Sequence, residues 1–100
     1  MAVIETMTFR LVEGADEAAF LAVDKRLQPE FAYQQRGLVR RTTARGLDDR
    51  AGEWIVIDLW QRADDADACA NRWESDPLAQ EFMAFVDRAT LEVRRYADLD

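Results

Sequence analysis

The chain has 100 residues, 49% of them hydrophobic and 33% charged. That is the balance of one globular domain, covering residues 1–100, and not of a disordered chain. The net charge of -7 argues against a nucleic-acid partner, whose phosphates repel an acidic surface.

The absence of histidine removes the usual general base near neutral pH and the commonest metal ligand. Zinc sites, Ser-His-Asp triads and Cys-His dyads are excluded in their usual forms. The single cysteine, Cys69, permits no internal disulfide and fits a reducing cytoplasm. No apolar run approaches the roughly 18 residues of a membrane helix, and the first residues carry no signal-peptide pattern, so no membrane association is expected.

Val3 to Val12 alternates in hydropathy and reads as a strand closed by Gly14. Met7, Phe9 and Leu11 share one face with Glu5. Ile4, Thr6, Thr8 and Arg10 share the other. Ala15 to Gly37 reads as a helix with an apolar stripe of Phe20, Val23, Leu27 and Phe31. Asp16 and Glu17 suit its positive N-terminal end, and Pro29 is expected to interrupt it. "LVRRTTAR" is a second strand, "GLDDRAG" a polar turn and "EWIVIDLWQ" a third strand. "DDADACANRW" begins a further helix, whose Asp64, Asp65 and Asp67 suit the helix dipole rather than a metal site. "SDP" restarts it, with Asp76 as cap and Pro77 in the first helical position. "TLEVRRYADL" is the last strand.

The order β-α-β-β-α-β predicts an α+β, ferredoxin-like fold. A four-stranded antiparallel sheet carries both helices on one face. Strands one and three are expected as the central, parallel pair. Pairing strand one with strand four so that Met7 faces Val93 also sets Glu5 against Arg95, Phe9 against Leu91 and Ile4 against Tyr96. Centring the hairpin of strands two and three near Asp49 sets Arg40 opposite Asp58. In the third strand, Ile55, Ile57 and Leu59 are assigned to the helices. Trp54, Asp58 and Trp60 are then assigned to an uncovered face together with Arg40, Arg94 and Tyr96. An exposed face rich in Trp, Tyr and Arg reads as an interface.

These segments resemble the dimeric α/β-barrel superfamily, in particular its antibiotic-biosynthesis-monooxygenase-like members. The resemblance lies in "ETMTFRLVEG", "QQRGLVRR", "VIDLWQRADDADACA", "SDPLAQEFMAFVD" and "EVRRY", in that order and spacing. It implies a homodimer in which two sheets pack face to face. Some relatives oxidise aromatic polyketides with oxygen and no cofactor, so cofactor-independent monooxygenation of an aromatic or polyketide-like molecule is the first reading; non-catalytic binding of a small hydrophobic ligand in the same pocket is the second. A dimer with no ligand is the third reading. The haem-degrading relatives use a helix histidine and a strand asparagine. Here Phe82 and Met83 occupy the histidine's neighbourhood, and the only asparagine, Asn71, lies elsewhere, so neither haem nor a metal is expected.

A cofactor-free oxygenase needs a dry pocket, a base and aromatic walls. The sequence offers Met7, Phe9, Phe31, Trp73, Phe82 and Phe85 as walls, with Arg95 beside them. Glu5 is the candidate base and Tyr33 the candidate proton relay. The competing reading makes the aromatics core, Glu5–Arg95 a structural ion pair and Cys69 a small buried hydrophobe.

Overall fold

The computed structural model describes residues 1–100. Its elements are β1 (Val3–Leu11), α1 (Glu17–Glu30), β2 (Leu38–Arg45), β3 (Glu53–Trp60), α2 (Ala63–Trp73), α3 (Pro77–Ala84) and β4 (Val86–Ala97). Short 3-10 turns follow α1 and separate β2 from β3. No helix is long and apolar enough to cross a membrane.

Local chemistry sets the helix ends. Asp16 caps α1 by accepting the Ala18 and Ala19 N–H groups. Pro29 sits in the last turn, and the chain leaves the helix at Phe31, so α1 is shorter than the apolar pattern suggests. Asp76 accepts the Ala79 N–H at 2.9 Å, with Pro77 in the first turn of α3. The last strand starts at Val86, earlier than its β-branched run, because the helix ends directly into it.

The four-stranded sheet is ordered β2-β3-β1-β4, and every pairing is antiparallel. This is the ferredoxin-like arrangement expected from the element order. The expected parallel pairing of β1 and β3 is corrected. Each helical crossover returns the chain parallel to the strand it left, and the β2–β3 hairpin reverses it, so β3 runs against β1. The β1–β4 register is the expected one from Val3–Ala97 through Glu5–Arg95 and Met7–Val93 to Thr8–Glu92. Phe9 and Leu91 do not pair, because an irregularity between Thr8 and Arg10 shifts the ladder.

One pairing in the hairpin is also corrected. Arg41, not Arg40, stands opposite Asp58. The hairpin ladder closes where the Gly46 N–H donates to the Glu53 carbonyl at 2.7 Å, and a shift between Leu38 and Arg40 fixes the far end. A one-residue slip exchanges the faces of a strand, so Arg41 points under the helices and Arg40 stays exposed.

The two faces of β3 are reversed as well. Trp54, Val56 and Trp60 are 4%, 4% and 1% exposed, whereas Ile57 is 36% exposed. Trp54 lies opposite Phe9 and Val56 opposite Met7, so the tryptophan-bearing face joins the helix-covered face of β1. Aromatic side chains bury the most apolar area, and the helices supply aromatic partners for them. Phe20 of α1 meets Trp54 at 5.0 Å, Phe82 of α3 at 5.1 Å and Phe9 at 6.0 Å between ring centroids. The open face therefore carries Ile4, Thr6, Thr8, Ile55, Ile57 and Leu59, with Arg94 opposite Thr6 and Tyr96 opposite Ile4.

Candidate functional site

A cavity of about 380 Å³ opens between the sheet and the helices, toward the Trp60 end of β3. Its apolar walls include Met7, Phe31, Trp60, Trp73, Met83 and Leu91. Its polar lining includes Glu5, Arg41, Asp58 and Arg95. Four strands and two helices contribute, because the antiparallel register brings Glu5, Asp58 and Arg41 into one row across β1, β3 and β2.

Arg41 is the fixed point of that row. Its side chain is 3% exposed. Its Nη1 reaches Asp24 Oδ1 at 2.9 Å and donates to Thr43 Oγ1 at 3.2 Å. Thr43 Oγ1 in turn donates to Asp24 at 3.1 Å. The guanidinium lies 5.7 Å from the centroid of the Phe82 ring. Tyr33 holds the backbone of the same residue, accepting the Arg41 N–H at 2.8 Å and donating to its carbonyl at 3.3 Å.

Asp58 is less well compensated. Arg41 Nε is 3.9 Å from its Oδ1, beyond hydrogen-bond range, and that oxygen has no hydrogen-bond partner in the protein. Burial pushes its carboxyl up to about 7. The Arg41 charge opposes this shift, while Glu5 and Asp24 add to it.

Glu5 is differently placed. Arg95 Nε donates to it at 2.8 Å, and Arg95 Nη1 donates to Asp67 at 2.6 Å. These bonds push the guanidinium pKa further up and strap β4 to both β1 and α2. Cys69 lines the cavity, but burial and the carboxylates around it push the thiol up to about 12, leaving a poor nucleophile. No three Asp, Glu or Cys side chains converge in ligating geometry.

The structure brings Glu5, Met7, Phe31, Trp73 and Arg95 together around the cavity. Three expected wall residues stand elsewhere. Phe9 and Phe82 are fully buried in the core behind it, and Phe85 packs its edge on Phe20. Tyr33 is 45% exposed, with its hydroxyl turned to the Arg41 backbone, so it is not a cavity proton relay. Trp54, Asp58 and Trp60 are corrected from the open face to the helix side, and Asp58 and Trp60 line the cavity. Arg40, Arg94 and Tyr96 remain on the open face.

Asp24 and Arg41 are functional candidates that the sequence reading missed. Asp24 had a signal. It follows Phe20 by four residues and precedes Leu27 by three, so it falls on the buried stripe of α1, where an aspartate requires a partner.

The fold is shared with a set of solved structures. SnoaB, described as a cofactor-independent oxygenase from Streptomyces nogalater, is 22% identical, with a TM-score of 0.74 over 99% of this chain and 94% of that one. A putative antibiotic biosynthesis monooxygenase from Bordetella bronchiseptica is 17% identical, with a TM-score of 0.73 over 99% and 98% of the two chains. Rv0793 from Mycobacterium tuberculosis is 17% identical, with a TM-score of 0.71 over 100% and 97%. No family model matches the sequence, and no curated protein matches it. The chain thus shares the fold of these three proteins.

Proposed function

We propose that this protein is a cofactor-independent monooxygenase of small aromatic, polyketide-like molecules, acting as a homodimer, with Asp58 as its base. One observation carries the reading: a carboxyl pushed up to about 7 lines an aromatic-walled cavity of about 380 Å³. A base whose pKa lies near the working pH is both available and strong enough to move a proton. The shared fold of an enzyme described as a cofactor-independent oxygenase supports the same reading.

The chemistry balances without a resident cofactor. An anthrone-like substrate gives a proton from its ring methylene to Asp58. The carbanion passes one electron to oxygen, and the radical pair combines to form a carbon–oxygen bond. The resulting peroxide recovers the proton and loses water, leaving a ketone. One oxygen molecule supplies the carbonyl oxygen and the oxygen of the water, and both methylene hydrogens leave in that water. Glu5 becomes a neighbour that tunes Asp58, and its bond to Arg95 makes it a structural group.

The homodimer is proposed through the open sheet face around Ile4, Ile55, Ile57 and Leu59, with Arg40, Arg94 and Tyr96 on the same side. Support comes from the half-exposed aliphatic residues on that face and from Tyr96, which is 51% exposed.

Oxygen uptake with an anthrone, in chelator-treated protein free of flavin and haem, tests the activity. Wild type is expected to consume oxygen, and Asp58→Asn to lose about a hundredfold or more. An anthrone that binds without oxygen uptake overturns the oxygenase reading and leaves a binding protein.

A further inference from the structure

We infer that Arg41 and Trp60 form an oxyanion seat inside the cavity, and that the seat takes an enolisable or phenolic aromatic carbonyl compound as its anion. This rests on the cavity being the substrate site and adds what its polar atoms select.

Three buried polar side-chain atoms in the chain have no hydrogen-bond partner in the protein: Arg41 Nη2, Asp58 Oδ1 and Trp60 Nε1. All three residues line the cavity. Arg41 and Trp60 are 6% and 1% exposed, so neither donor faces bulk solvent. Buried polar groups are almost always paired, and an unpaired one is costly. Such a concentration of orphans in one cavity marks the polar outline of what binds there.

The outline is specific. Two atoms are donors, one of them on a cation, and the third is an acceptor on a carboxylate. A hydrocarbon ring satisfies none of them. A carboxylate ligand satisfies the donors but sets its charge against Asp58. An enolisable ketone or a phenol offers Asp58 a proton, and the negative charge that remains falls on an oxygen within the reach of the donors. Charge that develops against preorganised donors in a dry site is strongly stabilised.

The preorganisation is visible. Asp24 and Thr43 hold Nη1 of Arg41, which leaves Nη2 free. Asp24 is therefore a positioning residue, acting through Arg41. The charged and titratable groups around Asp58 are Glu5 from β1, Asp24 from α1, Arg41 from β2, Cys69 and Glu74 from α2 and its end, and Arg88 and Arg95 from β4. Only Arg41 joins a positive charge to an unpartnered buried donor.

The probe is 2-hydroxyanthraquinone, a dye already at the ketone oxidation level, whose visible spectrum reports its ionisation. The dye is expected to bind wild type as its anion, about one pH unit or more below its own titration midpoint in solution. Trp60→Phe removes the N–H together with the five-membered half of the indole, so the shift of the bound titration, which lost packing alone does not produce, reports the donor. The variant is expected to weaken binding about tenfold and return the bound titration toward the free value. Asp24→Asn is expected to move the bound titration in the same direction, which a merely structural role would not do. Circular dichroism checks that each variant is folded.

A dye that binds only in its neutral form overturns the seat, as does a Trp60→Phe variant indistinguishable from wild type. No binding overturns the seat and the cavity reading together. Anionic binding in a protein that consumes no oxygen upholds the seat and overturns the oxygenase.

Discussion

Asp58 stands directly opposite Arg41 in the β2–β3 ladder, yet the guanidinium Nε stops 3.9 Å from its carboxylate. Arg41 is held by Asp24 at 2.9 Å instead. A carboxylate buried beside a cation committed elsewhere receives the desolvation penalty with only part of the compensation. Glu5, its cross-strand neighbour on β1, adds repulsion. The base of the proposed reaction is therefore made by a pairing that favours its competitor.

The first consequence is a dependence of stability on pH. Asp58 ionises near 3.8 when unfolded and near 7 when folded, so between these values the folded chain holds the extra proton. Its stabilising contribution is complete below the unfolded value and is lost as pH rises through 7, an effect on the order of a few kcal/mol. Urea unfolding of wild type and Asp58→Asn at about pH 5 and about pH 8 checks this. Wild type is expected to lose stability relative to the variant at the higher pH. Parallel behaviour of the two proteins would contradict it.

Glu5 raises the Asp58 pKa by its charge. Glu5→Gln is therefore expected to shift the rising limb of activity to lower pH while leaving the maximal rate within about threefold. Loss of activity at every pH, in folded protein, would make Glu5 the base.

The element order, the helix caps and the β1–β4 register were legible because each rests on local or nearest-neighbour chemistry. Asp76 before Pro77 is one such signal, and apolar and charged pairs across two strands are another. The faces of β3 were not legible. Both of its faces are apolar, so alternation alone does not say which turns toward the helices, and the hand-off depends on its antiparallel pairing with β1. That one ambiguity moved Asp58 and Trp60 out of the cavity. The single-residue offset that sets Arg41 rather than Arg40 opposite Asp58 hid the rest of the site.

The corrected open face makes a sharper test of the dimer. Ile57→Glu places a charge at the centre of the aliphatic patch, where the side chain is half-exposed and the core is not disturbed. Wild type is expected to sediment as a dimer at micromolar concentration, and the variant as a folded monomer. A monomeric wild type would sink the proposal, and so would a variant that dimerises as wild type does.

Phe20 joins α1 to the sheet and to α3 through the rings of Phe9, Trp54, Phe82 and Phe85, and it is fully buried. Phe20→Ala is expected to cost about 3–5 kcal/mol, seen as a large fall in the urea midpoint. A cost under about 1 kcal/mol would mean that the aromatic cluster does not tie the layers together.

The most direct test of Asp58 as the base is the pH dependence of kcat/KM for anthrone oxidation, after subtraction of the uncatalysed reaction, from about pH 5 to about pH 9. Wild type is expected to show a limb that rises with an apparent pKa of about 7, the value of the buried carboxyl. In Asp58→Asn that limb should disappear along with most of the rate. A wild-type profile that is flat across this range would contradict the assignment, as would a limb that survives unchanged in Asp58→Asn.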